Sequence, residues 1–260
     1  YAASRTAPRG NIYARDGTGL AIQARVITLG VVPGWIKDEN ALLDALNAVL
    51  KLPREEIRRR YASAGRPDWF MPIGDITAEQ AATHQALLSS VPGISQQERA
   101  TRAYPSGALV MPLLGYVGKI SAEELSVMRA FGYQEDDLLG KAGVEKWAER
   151  YLSGRRGGTL AIVTDSGQPV TVLKDEAPQP SKSVYLTLDY RLQEAASRAL
   201  GERIGAVVAM DPNNGEILAM VSRPSVDASV LSRGLSTEEW QALLARTDDP
   251  LLDRATQGQY

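Results

Sequence analysis

A serine that attacks a carbonyl needs a base at hand, and a lysine one helical turn later can supply it by taking the hydroxyl proton. Seven lysines occur in the chain. The residues three positions before Lys37, Lys51, Lys119, Lys141, Lys146, Lys174 and Lys182 are Gly34, Ala48, Tyr116, Leu138, Gly143, Thr171 and Gln179, and none is serine. No Ser-x-Asn occurs, and Lys182-Ser183-Val184 is not the Lys-Ser/Thr-Gly that would complete such a centre. Without cysteine and with a single histidine, His84, the sequence has no thiolate nucleophile, no zinc-thiolate site and no histidine-based triad. His84 reads as an ordinary surface residue.

Other groupings of reactive side chains are equally unproductive. Glu123-Glu124 and Asp136-Asp137 are sequence neighbours, whereas glycoside cleavage needs two acids facing one bond across a cleft. Arg58-Arg59-Arg60 and Arg155-Arg156 read as solvated faces, and the glycines from Gly140 to Gly158 lack phosphate-loop spacing. No cofactor and no metal is expected. The 29 basic and 31 acidic side chains leave a net charge of -2, which speaks against nucleic acid as a partner.

With 260 residues, 44% of them hydrophobic, the chain can bury a core of one or two domains without staples. No run approaches the roughly 20 apolar residues that span a bilayer. Neither an initiator methionine nor a signal segment opens the chain, so an anchoring or targeting segment is expected upstream.

The elements alternate without repeats. Residues 22–32 read as a strand stopped by Pro33-Gly34, and Asp38 caps a helix through Leu42, Leu46 and Val49. Pro53-Arg54-Glu55-Glu56 opens a second helix ending near Gly65, so that a helical lobe occupies about 36–100. Within it, Trp69 to Ile73 reads as a short strand, and the capping box Thr77-Ala78-Glu79-Gln80 starts a helix that Pro92-Gly93 ends. The apolar run from Ala108 to Val117 is read as extended, and a second capping box at Ser121 leads a helix fading at Gly132. Strands 159–164 and 169–173 flank the turn Asp165-Ser166-Gly167-Gln168. Lys174 to Ser183, with Pro178 and Pro180, reads as a linker.

After the linker the pattern changes, which places a domain boundary between 1–180 and 181–260. Residues 184–188 read as a strand and 190–200 as a helix. Strands 206–210 and 216–221 flank Asn214-Gly215, a strong hairpin signal. Both are nearly all apolar, as strands covered on two faces are. One more helix at most is expected in what remains, too little to cover them, so the natural domain is expected to continue past Tyr260.

At this point four segments resemble class B penicillin-binding proteins. Arg9-Gly10-Asn11-Ile12-Tyr13-Ala14-Arg15-Asp16-Gly17 is similar to that family's entry motif, with Ala14 where aspartate is usual. Arg102-Ala103-Tyr104-Pro105-Ser106-Gly107 resembles its Arg-x-Tyr-Pro segment. Gly140-Lys141-Ala142-Gly143-Val144-Glu145, continuing to Leu152-Ser153-Gly154-Arg155-Arg156-Gly157, resembles the signature of its non-penicillin-binding module. Leu186 to Asp189, Val208 to Pro224 and Pro250 to Tyr260 look like the opening of a transpeptidase domain, with Ala228, Ser229 and Asp253 as departures.

The resemblance implies an α+β fold, an elongated, multi-lobed pedestal or dimerisation module over 1–180, followed by an incomplete α/β transpeptidase domain over 181–260 that stops before its Ser-x-x-Lys. It implies no catalytic residue within the chain. It also implies that the segments around Arg9, Gly10, Arg102, Tyr104, Pro105, Gly140, Gly143, Glu145, Gly154 and Gly157 meet at the junction of the two parts. Because a buried guanidinium is tolerated mainly where a carboxylate accepts it, Glu145 is expected to pair with Arg9 or Arg102. The parent would be a membrane-anchored, extracytoplasmic peptidoglycan D,D-transpeptidase. Its partners would be its own transpeptidase domain, a membrane glycan polymerase, other cell-wall synthesis proteins, and a second copy in a homodimer. An independent wall-binding or partner-binding module with no catalytic remainder is the alternative.

Overall fold

A computed structural model describes residues 2–5, 7–62, 64–164 and 168–259. It is an α+β protein of short elements in two compact units, one formed by residues 24–101 and the other by 1–23 together with 102–260. The chain runs through β1 (Ala2–Arg5), β2 (Ile12–Tyr13) and β3 (Gly19–Val31) into α1 (Glu39–Leu50), α2 (Arg54–Ala62), β4 (Met71–Ile76), α3 (Ala78–Ser90) and β5 (Ile94–Ala103). Next come α4 (Gly107–Leu114), β6 (Val117–Lys119), α5 (Ala122–Met128), β7 (Leu138–Gly140), α6 (Gly143–Trp147), α7 (Glu149–Leu152), β8 (Gly157–Val163) and β9 (Pro169–Glu176). The last part holds β10 (Val184–Tyr185), α8 (Tyr190–Leu200), β11 (Gly205–Met210), β12 (Ile217–Arg223), α9 (Ala228–Ser232) and α10 (Thr237–Leu244).

In the 24–101 unit, α1 begins where the Asp38 side chain accepts the N–H groups of Asn40 and Ala41 at 2.9 and 3.1 Å. Its buried residues Leu42, Leu43, Leu46 and Val49 follow the helical period and pack with Leu29, Val31, Ile57, Ile73 and Leu88. Thr77 and Gln80 form the reciprocal capping box at α3, on which His84 is half-buried. β4 pairs antiparallel with the Ile27–Val31 part of β3.

In the other unit, β1, β8 and β9 form an antiparallel sheet in that order. β2 lies between the start of β3, antiparallel, and β10, parallel, and the paired Tyr13 and Tyr185 rings stack at 5.0 Å. A core of Ile12, Leu20, Tyr104, Val110, Leu114, Leu152 and Leu188 fills the space beneath these strands. Ala14, where the resembled motif carries aspartate, is fully buried in that core.

Residues 108–114 are not extended but belong to the helix α4, which buries Gly107, Val110, Met111 and Leu114. Of the run only Val117 lies in a strand, β6. An unbroken apolar run does not distinguish a buried strand from a buried helix. The carbonyl that Pro112 leaves without an intrahelical donor belongs to exposed Ala108.

Other expectations are corrected in detail. Lys174 to Glu176 extend β9 rather than starting a linker, and residues 177–183 are tied down by Arg155–Gln179 and Lys182–Tyr151 backbone hydrogen bonds. Only Val184 and Tyr185 of 184–188 form a strand. Two helices, not one, follow the β11–β12 hairpin. That hairpin buries Ala219, Val221 and Ser222 of β12 but leaves Val208 and Met210 about half exposed. The turn residues Asp165, Ser166 and Gly167 lie outside the described residues, as does Tyr260.

Candidate functional site: a buried charge cluster

Three segments distant in sequence meet at Glu145. Its side chain, fully buried, accepts Arg102 Nε at 2.7 Å on one oxygen and Arg9 Nε and Nη2 at 2.9 and 2.8 Å on the other. Arg9 forks further, donating Nη1 and Nη2 to the two oxygens of Glu149, both at 2.9 Å. Two guanidiniums thus face two carboxylates, so the cluster is neutral and nearly dry. The Glu145 carboxylate also receives the Tyr104 hydroxyl at 3.3 Å, and that hydroxyl accepts the Val117 N–H at 2.9 Å.

Local structure puts these groups in place. Glu145 and Glu149 are four residues apart, on α6 and at the start of α7, and so project to one side of consecutive turns. Arg102 sits near the end of β5 and donates Nη1 to the Gly10 carbonyl at 2.7 Å. Gly10 also donates its N–H to Leu152, and a Cβ there would lie 2.1 Å from the Lys182 carbonyl oxygen. At Gly143 (φ +53°) a Cβ would meet the Leu113 carbonyl at 2.4 Å, so the α4 exit and the α6 entry touch backbone to backbone. Gly140, Gly154 and Gly157 mark close approaches of the same kind, to Glu145, Gln179 and Glu176.

The cluster's electrostatics follow from its burial. Desolvation alone would lower the Arg9 guanidinium, but the Glu149 and Glu145 contacts outweigh it and raise the group. Burial raises the Glu149 carboxyl, yet hydrogen bonds from Arg9, Tyr133 and the Gly140 N–H carry it below its ordinary value. The Tyr104 hydroxyl is pushed up by burial and then by the Glu145 charge. Tyr133, buried and bonded to Glu149, is pushed up to about 12. Arg102 Nη2 is buried and has no hydrogen-bond partner among the described residues.

Of the residues singled out from sequence, Arg9, Gly10, Arg102, Tyr104, Gly140 and Glu145 converge here through direct hydrogen bonds or backbone approach. Pro105 is exposed and takes no part. Glu149 and Tyr133 were missed, although Glu149 follows Glu145 by one helical turn and could have been found by that spacing. Gln193 was missed too: its side-chain amide bonds the Leu109 and Met220 carbonyls and accepts the Met220 N–H, pinning α8 to α4 and β12. The cluster holds no serine, cysteine or lysine, and its hydrogen bonds tie three segments into one polar network.

Known proteins resemble this chain along most of its length. The family described as Penicillin-binding Protein dimerisation domain matches residues 4–186. Peptidoglycan D,D-transpeptidase MrdA of Escherichia coli is 32% identical over 97% of this chain and 41% of its own length. The Acinetobacter baumannii protein of the same name is 33% identical over 97% and 38%. Penicillin-binding protein 3 of Bacillus subtilis is 31% identical over 93% and 36%. The chain therefore spans about two fifths of the length of these curated relatives. Among solved structures, Penicillin-Binding Protein (PBP2) of Helicobacter pylori in complex with MreC superposes with a TM-score of 0.71 at 26% identity, over 98% of this chain and 48% of that one.

Proposed function

The chain belongs to the penicillin-binding protein dimerisation domain family, among the class B penicillin-binding proteins; from that premise we propose that it is the non-catalytic part of a peptidoglycan D,D-transpeptidase, holding the transpeptidase domain in position. The observation that carries this is the Arg9–Glu145–Arg102–Glu149 cluster. It rivets three segments of the module, and the Arg9–Gly10 segment among them runs on into the β2–β10 pairing, where Val184 and Leu186 donate their N–H groups to Asn11 and Tyr13. That pairing leads straight into α8 and the β11–β12 hairpin. Residues 1–180 are read as the pedestal and 181–260 as the start of the transpeptidase domain, a boundary supported by the family match ending at residue 186.

The acyl-transfer serine, its lysine and the remaining motifs belong to the parent protein outside this chain. The parent is read as anchored in a bacterial cytoplasmic membrane with this region on the extracytoplasmic side. It would work beside a glycan polymerase, and an MreC-type partner is supported by the relative solved with MreC. A homodimer is supported by the family's description. Incubation with a β-lactam followed by intact-mass measurement tests the division of labour. This chain is expected to stay unmodified while the longer protein gains one adduct, and a stable adduct on this chain would overturn it.

A further inference from the structure

A cleft of about 1020 Å³ opens beside the cluster, between the face of the β8–β9 hairpin and the residues around α6 and Gly132. Its volume is at the upper end for small-ligand sites. Two walls carry aromatic rings that the fold leaves uncovered, Trp147 at 72% and Phe131 at 70% exposure. Cations line it on a chain whose net charge is negative. Arg156 is committed to Asp137 at 2.8 Å and to the Tyr133 ring, and Lys174 to Glu176. Lys146 and Arg155 close no ion pair among the described residues, and Arg150 lies against the Tyr151 ring with its guanidinium bonded only to the phenol oxygen. With Glu149 and Glu176 set against Lys146, Arg150, Arg155, Arg156 and Lys174, the lining keeps an excess of positive charge.

This combination selects its occupant. The exposed faces of Trp147 and Phe131 offer a flat, rigid ring a stacking surface. The β-hairpin contributes the face carrying Gly158, Leu160, Lys174 and Glu176, not its free backbone edge, so an extended peptide would find no ladder of main-chain partners there. A recess also suits a strand better than a flat membrane surface. We propose that the cleft binds an anionic glycan strand of uncross-linked peptidoglycan, with sugar rings on Trp147 and Phe131 and stem-peptide carboxylates at Lys146, Arg150 and Arg155. This rests on the reading that the parent protein acts on peptidoglycan, and it names where this chain would hold that polymer. Glu149 and Tyr133 line the same cleft, so an occupied cleft would touch the residues that fasten the cluster.

The probe is a soluble disaccharide-pentapeptide, titrated into the whole chain while the four tryptophan indole N–H resonances are followed by NMR. The Trp147 resonance, assigned through Trp147→Phe, is expected to shift while those of Trp35, Trp69 and Trp240 stay in place. Lys146→Glu combined with Arg155→Glu is expected to weaken binding by about tenfold or more, with affinity falling as salt is added. Both positions are exposed, so an unchanged melting temperature shows that the variant folds. An unmoved Trp147 resonance overturns the proposal. So does equal binding of a neutral N-acetylglucosamine oligosaccharide, of an acidic peptide, or of anionic phospholipid vesicles. A longer protein that is acylated by β-lactam while Trp147 ignores the glycan sinks the cleft alone and leaves the proposed function standing.

Discussion

Glu145 is the residue on which two arginines depend unequally. If it is truncated, Arg9 keeps Glu149, whereas Arg102 keeps only the Gly10 carbonyl and is left with a buried, uncompensated charge. Breaking a buried pair from one side costs about 3–5 kcal/mol. Glu145→Ala is therefore expected to destabilise by about that much, and Glu149→Ala by roughly 1–3 kcal/mol, because Arg9 then retains Glu145. Denaturant melts of the two variants check the order, and equal losses would contradict the asymmetry. Acidity acts on the same node. The Glu149 carboxyl is lower in the folded chain than in the unfolded one, so its contribution is complete above the unfolded value and fades as pH falls through the folded value. Tyr104 is raised, so its contribution fades on the alkaline side, above the ordinary tyrosine value of about 10. A stability–pH profile is expected to lose part of its acid-side slope in Glu149→Gln. It is expected to lose part of its alkaline slope in Tyr104→Phe, which also unpairs the Val117 N–H.

At the scale of elements, what could be read in advance was whatever is decided within a few residues. Asp38, Thr77 and Ser121 each start a helix because a side-chain oxygen takes an orphan N–H within one turn, and that signal needs no tertiary partner. Asn214-Gly215 turns the β11–β12 hairpin for the same reason. α4 was misread because its identity depends on what covers it: the Gly107, Val110, Met111 and Leu114 stripe becomes meaningful only against Leu20, Leu188 and Leu231. The arginine–glutamate pairing was foreseen from the charged residues of the resembled motifs, whereas Glu149 lies outside those motifs and only its one-turn spacing from Glu145 pointed to it. Backbone contact between elements was equally silent in the sequence beyond the glycines themselves. Gly143→Ala tests it: a Cβ would meet the Leu113 carbonyl in a left-handed conformation, and a loss of about 1–3 kcal/mol is expected. Gly215→Ala serves as the comparison, with positive φ but open space around it, so a smaller loss in the melt isolates the steric part.

For the whole molecule, the 24–101 unit is an insertion: the chain leaves the larger unit along β3 and returns to it along β5. Each unit has its own buried cluster, one centred on Leu42, Leu46 and Ile57 and the other on Ile12, Leu114 and Leu152. Separate cores give separate stabilities, and the charge node belongs to the larger unit only. Leu46→Ala removes a fully buried side chain from the inserted core and is expected to cost about 2–5 kcal/mol there. Hydrogen exchange followed by mass spectrometry is expected to show faster exchange in α1, α2 and α3 of that variant, with α4, α6 and α8 unchanged. Glu145→Ala is expected to produce the complementary map. The chain passes between the units along β3 and β5, and exchange along β3 is the place to see a loss in one unit reach the other. If either variant loosens both units together, the insertion and the module around it unfold as one cooperative body, and a node confined to residues 1–23 and 102–260 no longer describes how the molecule is held.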